Sequence, residues 1–327
     1  MLVKNMIKPT EAELMTKVAW LYYIADLNQA EVSERLGLTR ARVNKLLQNS
    51  REKGIVSINI NRKNLGLLEQ EDKIKKYFNL NFCAITPELG LDPNKLSHAK
   101  IARKAVGNQA SKFMRDRLLK TPKLTIGTGW GRTLNQLSKN IAGLHSPQVK
   151  VVSLMGSLIE NSAFNPFEVV QSIANSTGGE GYFLPVPYIA DSPKDKKILL
   201  SQRIVENVME MARGIDLAFI SVGEVTENSF LVKQGLIDKI QLAELKHVGA
   251  IGDTNGIFFN GQGQPVNHEL NNRTIAVEFK YLRQSETILL SAGTAKLEAT
   301  IGILKSGIIK GLIIDGDSAL KILKMIA

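Results

Sequence analysis

The stretch Gln29-Ala-Glu-Val-Ser-Glu-Arg-Leu-Gly-Leu-Thr-Arg-Ala-Arg-Val-Asn-Lys-Leu-Leu-Gln48 reads as two helices joined by a tight turn. Gly37 falls where such a turn needs a left-handed backbone, and Thr39 stands where it caps the second helix. Val32, Leu36, Leu38, Val43, Leu46 and Leu47 are spaced to close a small core with a preceding amphipathic helix, from Glu11 to about Asp26. At about 100° per residue, Arg40, Ala41, Asn44, Lys45 and Gln48 share one arc of the second helix. Val43, Leu46, Leu47 and Ser50 share the opposite arc.

This is the pattern of a helix-turn-helix whose polar arc fits a DNA major groove. Arginine can grip guanine and Asn or Gln can read adenine at two points, so Arg40, Asn44 and Gln48 are the candidate base readers. Arg42, Lys45, Gln29, Arg51 and Lys53 are candidate phosphate contacts, and Thr39 belongs to the same interface. A helical hairpin with a solvated basic face has the same spacing. Charge favours DNA: Met1 to Lys63 carry eleven Lys or Arg against six Asp or Glu, a net +5, leaving +6 of the chain's +11 to the other 264 residues. After this module, Gly54-Ile-Val-Ser-Ile-Asn-Ile60 alternates like a strand, the expected wing of a winged helix-turn-helix.

With 327 residues and 44% hydrophobic composition the chain can bury a second, larger core. Asn61 to Gly66 interrupts the pattern, so the expected domains are 1–62, binding DNA, and 63–327. One cysteine, Cys83, excludes an internal disulfide and reads as buried filler. No basic segment followed by an apolar signal run opens the chain, and no segment approaches about 20 uninterrupted apolar residues. A cytoplasmic location is expected, with no membrane partner.

Beyond the boundary, helices are expected over Leu67–Phe78 and Asn94–Leu119, and a strand at Cys83-Ala-Ile-Thr. Apolar runs then recur at Leu124-Thr-Ile-Gly, Val149-Lys-Val-Val-Ser-Leu, Leu217-Ala-Phe-Ile-Ser-Val-Gly, Ala250-Ile-Gly and Leu312-Ile-Ile-Asp, each ending in a turn. Strand, glycine turn and helix in succession predict an α/β fold with a Rossmann-like parallel sheet. Ligands in such sheets sit at the carboxyl ends of strands.

Three strand ends carry candidate chemistry. Leu124-Thr-Ile-Gly127-Thr128-Gly129-Trp130-Gly131-Arg132-Thr133 opens the helix Leu134–Ile141 with exposed amides, hydroxyls and a guanidinium, a setting that favours phosphate. A tight turn without ligand fits the same glycines, and neither the nucleotide P-loop nor the dinucleotide spacing is met. In Leu289-Leu-Ser-Ala-Gly-Thr-Ala-Lys296, the lysine either reaches that phosphate or is simply solvated. In Val248-Gly-Ala-Ile-Gly-Asp-Thr-Asn-Gly-Ile-Phe-Phe-Asn260, Asp253 either accepts from sugar hydroxyls or fixes a turn. Gln171, preceded by Asn165, could bind a polyol, and Gly223 and Glu224 end another strand. His98, His145, His247 and His268 lack metal-ligand spacing, so no metal and no cofactor is expected.

Several motifs in order carry a resemblance over nearly the whole chain. They are Val18-Ala-Trp-Leu-Tyr-Tyr23, Arg35-Leu-Gly-Leu-Thr-Arg40, Gly54-Ile-Val, Ile126-Gly-x-Gly-Trp-Gly-x-Thr133, Leu184-Pro-Val-Pro187, Gly249-Ala-Ile-Gly-Asp-x-x-Gly-x-Phe-Phe259 and Ala292-Gly-x-x-Lys-x-Glu-Ala299. With them the chain resembles a SorC-family sugar-binding transcriptional regulator, the SorC/DeoR-type group that includes LsrR-like members. The resemblance implies an effector domain similar to sugar-phosphate isomerases and deaminases that binds a phosphorylated sugar or polyol without turning it over. It implies that Gly129, Trp130, Gly131, Arg132, Thr133 and Lys296 hold the phosphate while Gln171 and Asp253 contact the sugar. It also implies homotetramers built as pairs of dimers on operator DNA. The loop Glu160–Pro166 differs among such proteins and assigns no sugar here.

The competing class is an isomerase- or deaminase-like enzyme with an appended DNA-binding module. Such chemistry needs a general base beside the substrate carbon and usually a relay, and Asp253 is the single candidate, with no histidine in a glycine-turn motif. A DNA-binding architectural protein would leave so large an α/β domain unexplained.

Overall fold

The computed structural model describes residues 9–56, 58, 66–91, 96–141, 144–157 and 165–326. The chain divides into two compact units, Met1–Asn59 and Ile60–Ala327. The linker expected at Asn61–Gly66 lies, Gly66 apart, outside the described residues.

The first unit holds three helices: α1 (Glu11–Tyr23), α2 (Gln29–Leu36) and α3 (Arg40–Glu52). Each begins at a polar cap that satisfies amides the helix cannot bond itself. Thr10 and Asn28 form capping boxes with Glu13 and Glu31, and Thr39 Oγ1 accepts the Arg42 N–H at 3.2 Å. Gly37 ends α2 at φ 63°, the left-handed turn anticipated from its type. Met15, Val18, Val32, Val43, Leu46 and Leu47 form the buried core. The wing strand expected over Gly54–Ile60 falls partly on residues 57, 59 and 60, outside the described ones.

The second unit is built on a seven-stranded sheet. Its strands are β1 (Phe82–Ile85), β2 (Thr125–Thr128), β3 (Lys150–Ser157), β4 (Glu180–Pro187), β5 (Leu217–Ser221), β9 (Glu286–Ser291) and β10 (Gly311–Ile314). Their order is β1-β10-β9-β5-β2-β3-β4, every neighbouring pair parallel. From β2 the chain builds outward through β3 to β4; from β5 it builds the other way through β9 to β10. The carboxyl ends of β2 and β5 therefore flank the topological switch point, where open α/β sheets form their crevice. A second sheet of three antiparallel strands, β6 (Gly223–Glu224), β7 (Gly252–Thr254) and β8 (Ile257–Phe259), follows β5.

Both faces of the large sheet are covered, which is why its strands are almost continuously apolar. On one face α5 (Leu96–Lys120), α6 (Arg132–Lys139) and α7 (Pro166–Thr177) pack on Ile126, Val151, Phe219, Ile288 and Ile313. Ala102, Val106, Ala110, Met114 and Leu118 give α5 a stripe repeating every four residues. On the other face Val152, Leu154, Ile220 and Leu312 meet α4 (Leu68–Phe78), α9 (Arg203–Arg213), α14 (Leu297–Lys305) and α15 (Gly316–Ile326). The remaining helices are α8 (Pro193–Leu200), α10 (Phe230–Lys233), α11 (Lys239–His247), α12 (Glu269–Arg273) and α13 (Phe279–Leu282). A third cluster, including Trp130, Tyr188, Leu231, Leu245 and Phe258, joins the small sheet to α10, α11 and α12.

Two strands depart from the sequence reading. Ala250-Ile-Gly, expected to add a parallel strand, leads instead into the antiparallel β7. The reason is the two-residue turn Asn255-Gly256, at φ 50° and 74°, which returns the chain at once into β8. A parallel partner would need a long crossover. Strand β4 was not anticipated, since Pro185 and Pro187 lack a donor; it lies at the sheet edge, where a missing N–H is tolerated. Helix α6 also starts two residues before its expected beginning, at Arg132.

Candidate functional site

The site grows from the switch point. At the end of β2 the Gly129 N–H donates to Phe219 O of β5 at 3.2 Å, and Ser221 Oγ donates to Trp130 O at 3.2 Å. These bonds hold the ends of both strands together as the chain turns into α6. No side chain caps α6, so the first amides of this helix face the turn without a protein acceptor from a cap residue. An uncapped helix start with Arg132 as its first residue is suited to an anion.

The hairpin β7–β8 inserts two side chains between these strand ends. Gly129 and Gly223 make room for them: a Cβ on Gly129 would lie 2.2 Å from Asn255 Oδ1, and one on Gly223 would lie 2.1 Å from Asp253 Oδ1. Any larger residue at either position would expel the side chain opposite. Asp253 Oδ2 accepts the Gly256 N–H at 3.3 Å, and Thr254 Oγ1 donates to Ser221 O at 2.9 Å, fixing the hairpin on β5.

Lys296 enters from the far side. It lies in the turn Gly293–Lys296 after β9, and its Nζ donates to Val222 O at 2.6 Å. Asp315, fully buried at the end of β10, anchors this turn by accepting the Gly293 N–H at 2.7 Å. The cleft so formed has a cavity volume of about 50 Å³ and opens to solvent. It is lined by Trp130, Arg132, Glu224, Asp253, Asn255 and Lys296 on its polar side and by Val222, Phe230 and Leu231 on its apolar side. Trp130 is held by Tyr188 and Phe230, with ring centroids 5.6 and 5.2 Å away.

Charge is concentrated here. Burial pushes Asp253 up to about 6, against the pull of Lys296 and the Gly256 amide, with Glu224 adding to the rise. Burial lowers Lys296, and Arg132 and Arg103 lower it further, while Glu224 and Asp253 oppose them. Arg103, which the sequence reading missed, belongs to α5; burial and then Arg132 lower it to about 10. Among the described residues no carboxylate lies within 4.0 Å of Arg103, Arg132 or Lys296 in an ion pair. Arg132 and Lys296 line the cleft and Arg103 acts on both by charge, so an arriving anion relieves a mutual repulsion that Glu224 offsets in part.

The cleft brings together Trp130, Gly131, Arg132, Gly223, Glu224, Asp253 and Lys296 of the anticipated residues. Gly129 acts behind the lining by admitting Asn255. Thr133 is buried with no partner for its Oγ1 among the described residues, yet it does not line the cleft. Gln171 on α7 donates to Asn175 Oδ1 at 2.8 Å and is not among the lining residues. Of the loop Glu160–Pro166, residues 160–164 lie outside the described ones. Ser221, Val222, Ser229, Phe230, Leu231 and Asn255 were missed. The Asn-Gly pair was the available signal for the last, because it marks a hairpin turn.

Among the described residues one cluster groups metal-ligating side chains: His98, Asp315 and Asp317 offer atoms within 4.8 Å of one another. Its carboxylates bond within the protein, while His98 Nδ1 is buried without a partner among the described residues. Asp317 Oδ2 lies 2.8 Å from His98 Nε2 and accepts the Leu89 N–H at 3.3 Å, while Asp315 accepts from Gly293 and from both N–H and Oγ of Ser318. The cluster ties α5 and α15 to the Lys296 turn.

In the first unit, Arg40, Ala41, Asn44, Lys45 and Gln48 are exposed along α3, while Val43, Leu46, Leu47 and Ser50 are buried, as the helical arc requires. Gln29 begins α2 and is half-buried. Arg42 pairs with Glu11 of α1, and Gln48 Nε2 donates to Glu52 Oε1 at 2.9 Å. Arg40 and Lys45 have no such partner among the described residues. No described helix is long and apolar enough to cross a membrane.

Residues 62–324 match the family described as "Putative sugar-binding domain". The chain is 31% identical over 306 residues to the "Erythritol catabolism regulatory protein EryD" of Brucella abortus (strain 2308), covering 94% of this chain and 95% of that protein. It is 28% identical over 318 residues to "Transcriptional regulator LsrR" of Escherichia coli (strain K12), covering 96% and 95%. The fold matches the full-length sorbitol operon regulator SorC of Klebsiella pneumoniae with a TM-score of 0.70 at 24% identity, covering 95% of this chain and 98% of that one. With the helix-turn-helix, the parallel sheet and the cleft at its switch point, these likenesses show that the chain belongs to the SorC/DeoR-like family of sugar-binding transcriptional regulators.

Proposed function

We propose that the protein regulates transcription of a carbohydrate or polyol operon, with α3 reading operator DNA and a phosphorylated sugar or polyol in the cleft setting the affinity for that DNA. The effector half is supported by Arg132 and Lys296 lining the cleft at an uncapped helix start, with Arg103 acting on both by charge and no ion-pair partner for any of the three among the described residues. A phosphate monoester satisfies them, and Glu224 and Asp253 remain to accept hydrogen bonds from hydroxyls. Arg40, Asn44 and Gln48 contact bases, and Thr39, Gln29, Arg42 and Lys45 position the helix on the backbone. The domains divide near residue 62, the protein works in the cytoplasm as a homotetramer of paired dimers, and the ligand biases one quaternary arrangement over another.

One observation favours a second reading. Asp253, held near neutrality beside Lys296, would suit a general base of an isomerase or deaminase. Against it, no histidine lines the cleft among the described residues, and the relatives carry the names of regulators. The experiment is titration of the full chain with a panel of three- to six-carbon sugar and polyol phosphates, followed by product analysis. Saturable binding without turnover is expected; steady turnover would establish the enzyme, and no binding at all would remove the effector reading.

A further inference from the structure

The hairpin that enters the cleft carries a side chain whose donor is idle. Asn255 lines the cleft, is 3% exposed, and its Nδ2 has no hydrogen-bond partner among the described residues. Its backbone stands at φ 50°, a conformation that Asn adopts more readily than most residues. A buried amide left unpaired is unfavourable, and an acceptor on a ligand in the cleft would remove that cost.

The position of that amide says what the partner is. Its Oδ1 packs against Gly129, directly before the uncapped start of α6 and Arg132. Asp253 and Glu224, the acceptors of the cleft, belong to β7 and β6, with the Asp253 carboxylate packed against Gly223. The Asn255 amide therefore stands beside the Gly129–Arg132 turn and the carboxylates on the β6–β7 pair, next to which Lys296 Nζ donates to Val222 O. A phosphoryl oxygen is the ligand atom that needs donors alone. A neutral amide also adds a donor without raising the charge of a site already lined by Arg132, Lys296 and two carboxylates.

We infer that Asn255 is a specificity-determining residue: its Nδ2–H donates to a phosphoryl oxygen seated on the Gly129–Arg132 turn, so that the hairpin closes the anion subsite over the carboxyl ends of β2 and β5. The inference rests on the reading of the cleft as a sugar-phosphate site and adds to it the residue that recognises the phosphate without charge.

The test uses the full chain, with inorganic phosphate and the sugar-phosphate panel as probes in calorimetric titration. Asn255→Gly keeps the left-handed backbone and removes the amide; Asn255→Asp keeps the shape and replaces the donor by a carboxylate. Asn255→Gly should weaken inorganic phosphate and the tightest sugar phosphate by the same factor, about ten- to a hundredfold, as loss of a hydrogen bond to a charged group does. Asn255→Asp should weaken both further, and DNA binding without ligand should stay unchanged in each. Should Asn255→Gly fail to fold, Asn255→Asp carries the comparison alone. Wild-type affinity in either folded variant overturns the inference, as does a loss confined to the sugar phosphate with inorganic phosphate unaffected. If the wild-type chain binds no phosphorylated probe, the anion cleft itself is refuted, a result distinct from equal binding by wild type and variant.

Discussion

The Nζ of Lys296 donates to the carbonyl of Val222 at 2.6 Å, bridging the turn after β9 to the end of β5. The lysine is thereby held over the switch point before any ligand arrives. Pre-placement of this kind reduces the ordering cost of binding.

Lys296→Ala is expected to weaken sugar-phosphate binding about a hundredfold, the loss of one charge-assisted contact with a phosphate. Operator affinity without ligand should be unchanged. Titration calorimetry and a gel-shift assay on the same preparation check both halves. Equal damage to both activities would contradict separate sites.

Asp315 accepts three hydrogen bonds, from Gly293 N, Ser318 N and Ser318 Oγ, while fully buried. Asp315→Asn turns one oxygen into a donor facing donors, so the change should cost about 1–3 kcal/mol of stability. Urea unfolding at equilibrium measures it, and the variant should also bind effector more weakly because the Lys296 turn loses its anchor.

Asp253 sits at about 6 in the folded chain against an ordinary 3.8, so the fold holds its proton more tightly than the unfolded chain does. Its contribution to stability is therefore greatest below pH 4 and is lost as the pH rises through 6. Asp253→Asn removes this term. The stability of the variant relative to wild type should rise between pH 4 and pH 7, by roughly 3 kcal/mol at most. A flat difference across that range would show that the carboxyl is not held near neutrality.

On DNA, a dimer whose modules each neutralise about four phosphates should show a salt slope on the order of −7. Lys45→Ala should reduce its magnitude by about 2, one phosphate per module. Arg42→Ala should reduce it less, because Arg42 is paired with Glu11. Arg40→Ala should cost about tenfold or more and relax the preference at one base pair of each half-site. Fluorescence anisotropy from 50 to 300 mM salt distinguishes the three.

The legible parts of the sequence were those where local chemistry and burial agree. The α2–Gly37–α3 module could be read because its caps, its left-handed glycine and its apolar arc all serve the same local core. The turns at Gly129 and Gly293 could be read because a strand ending in glycine before a helix has few other meanings. Arg103 could not, since it lies in the middle of α5, more than twenty residues from the turn it faces, and only the packing of α5 beside β9 and α6 brings it there. Asn255 was within reach. Its Asn-Gly turn was passed over because the preceding Ala250-Ile-Gly resembled the other sheet strands, and the same misreading hid the hairpin that completes the cleft. Pro185 and Pro187 hid β4 for the opposite reason: a residue type that argues against strands in general is harmless at an edge.

If the cleft and α3 are two ends of one equilibrium, the operator affinity must differ with and without ligand. Duplexes selected by the full chain from a random pool supply the DNA, and the tightest-binding phosphate of the panel, at saturation, supplies the effector. The dissociation constant should shift by about five- to 150-fold with the ligand, and Lys296→Ala should abolish the shift while keeping the ligand-free affinity. An operator affinity that is the same with a saturated cleft as with an empty one would contradict the account.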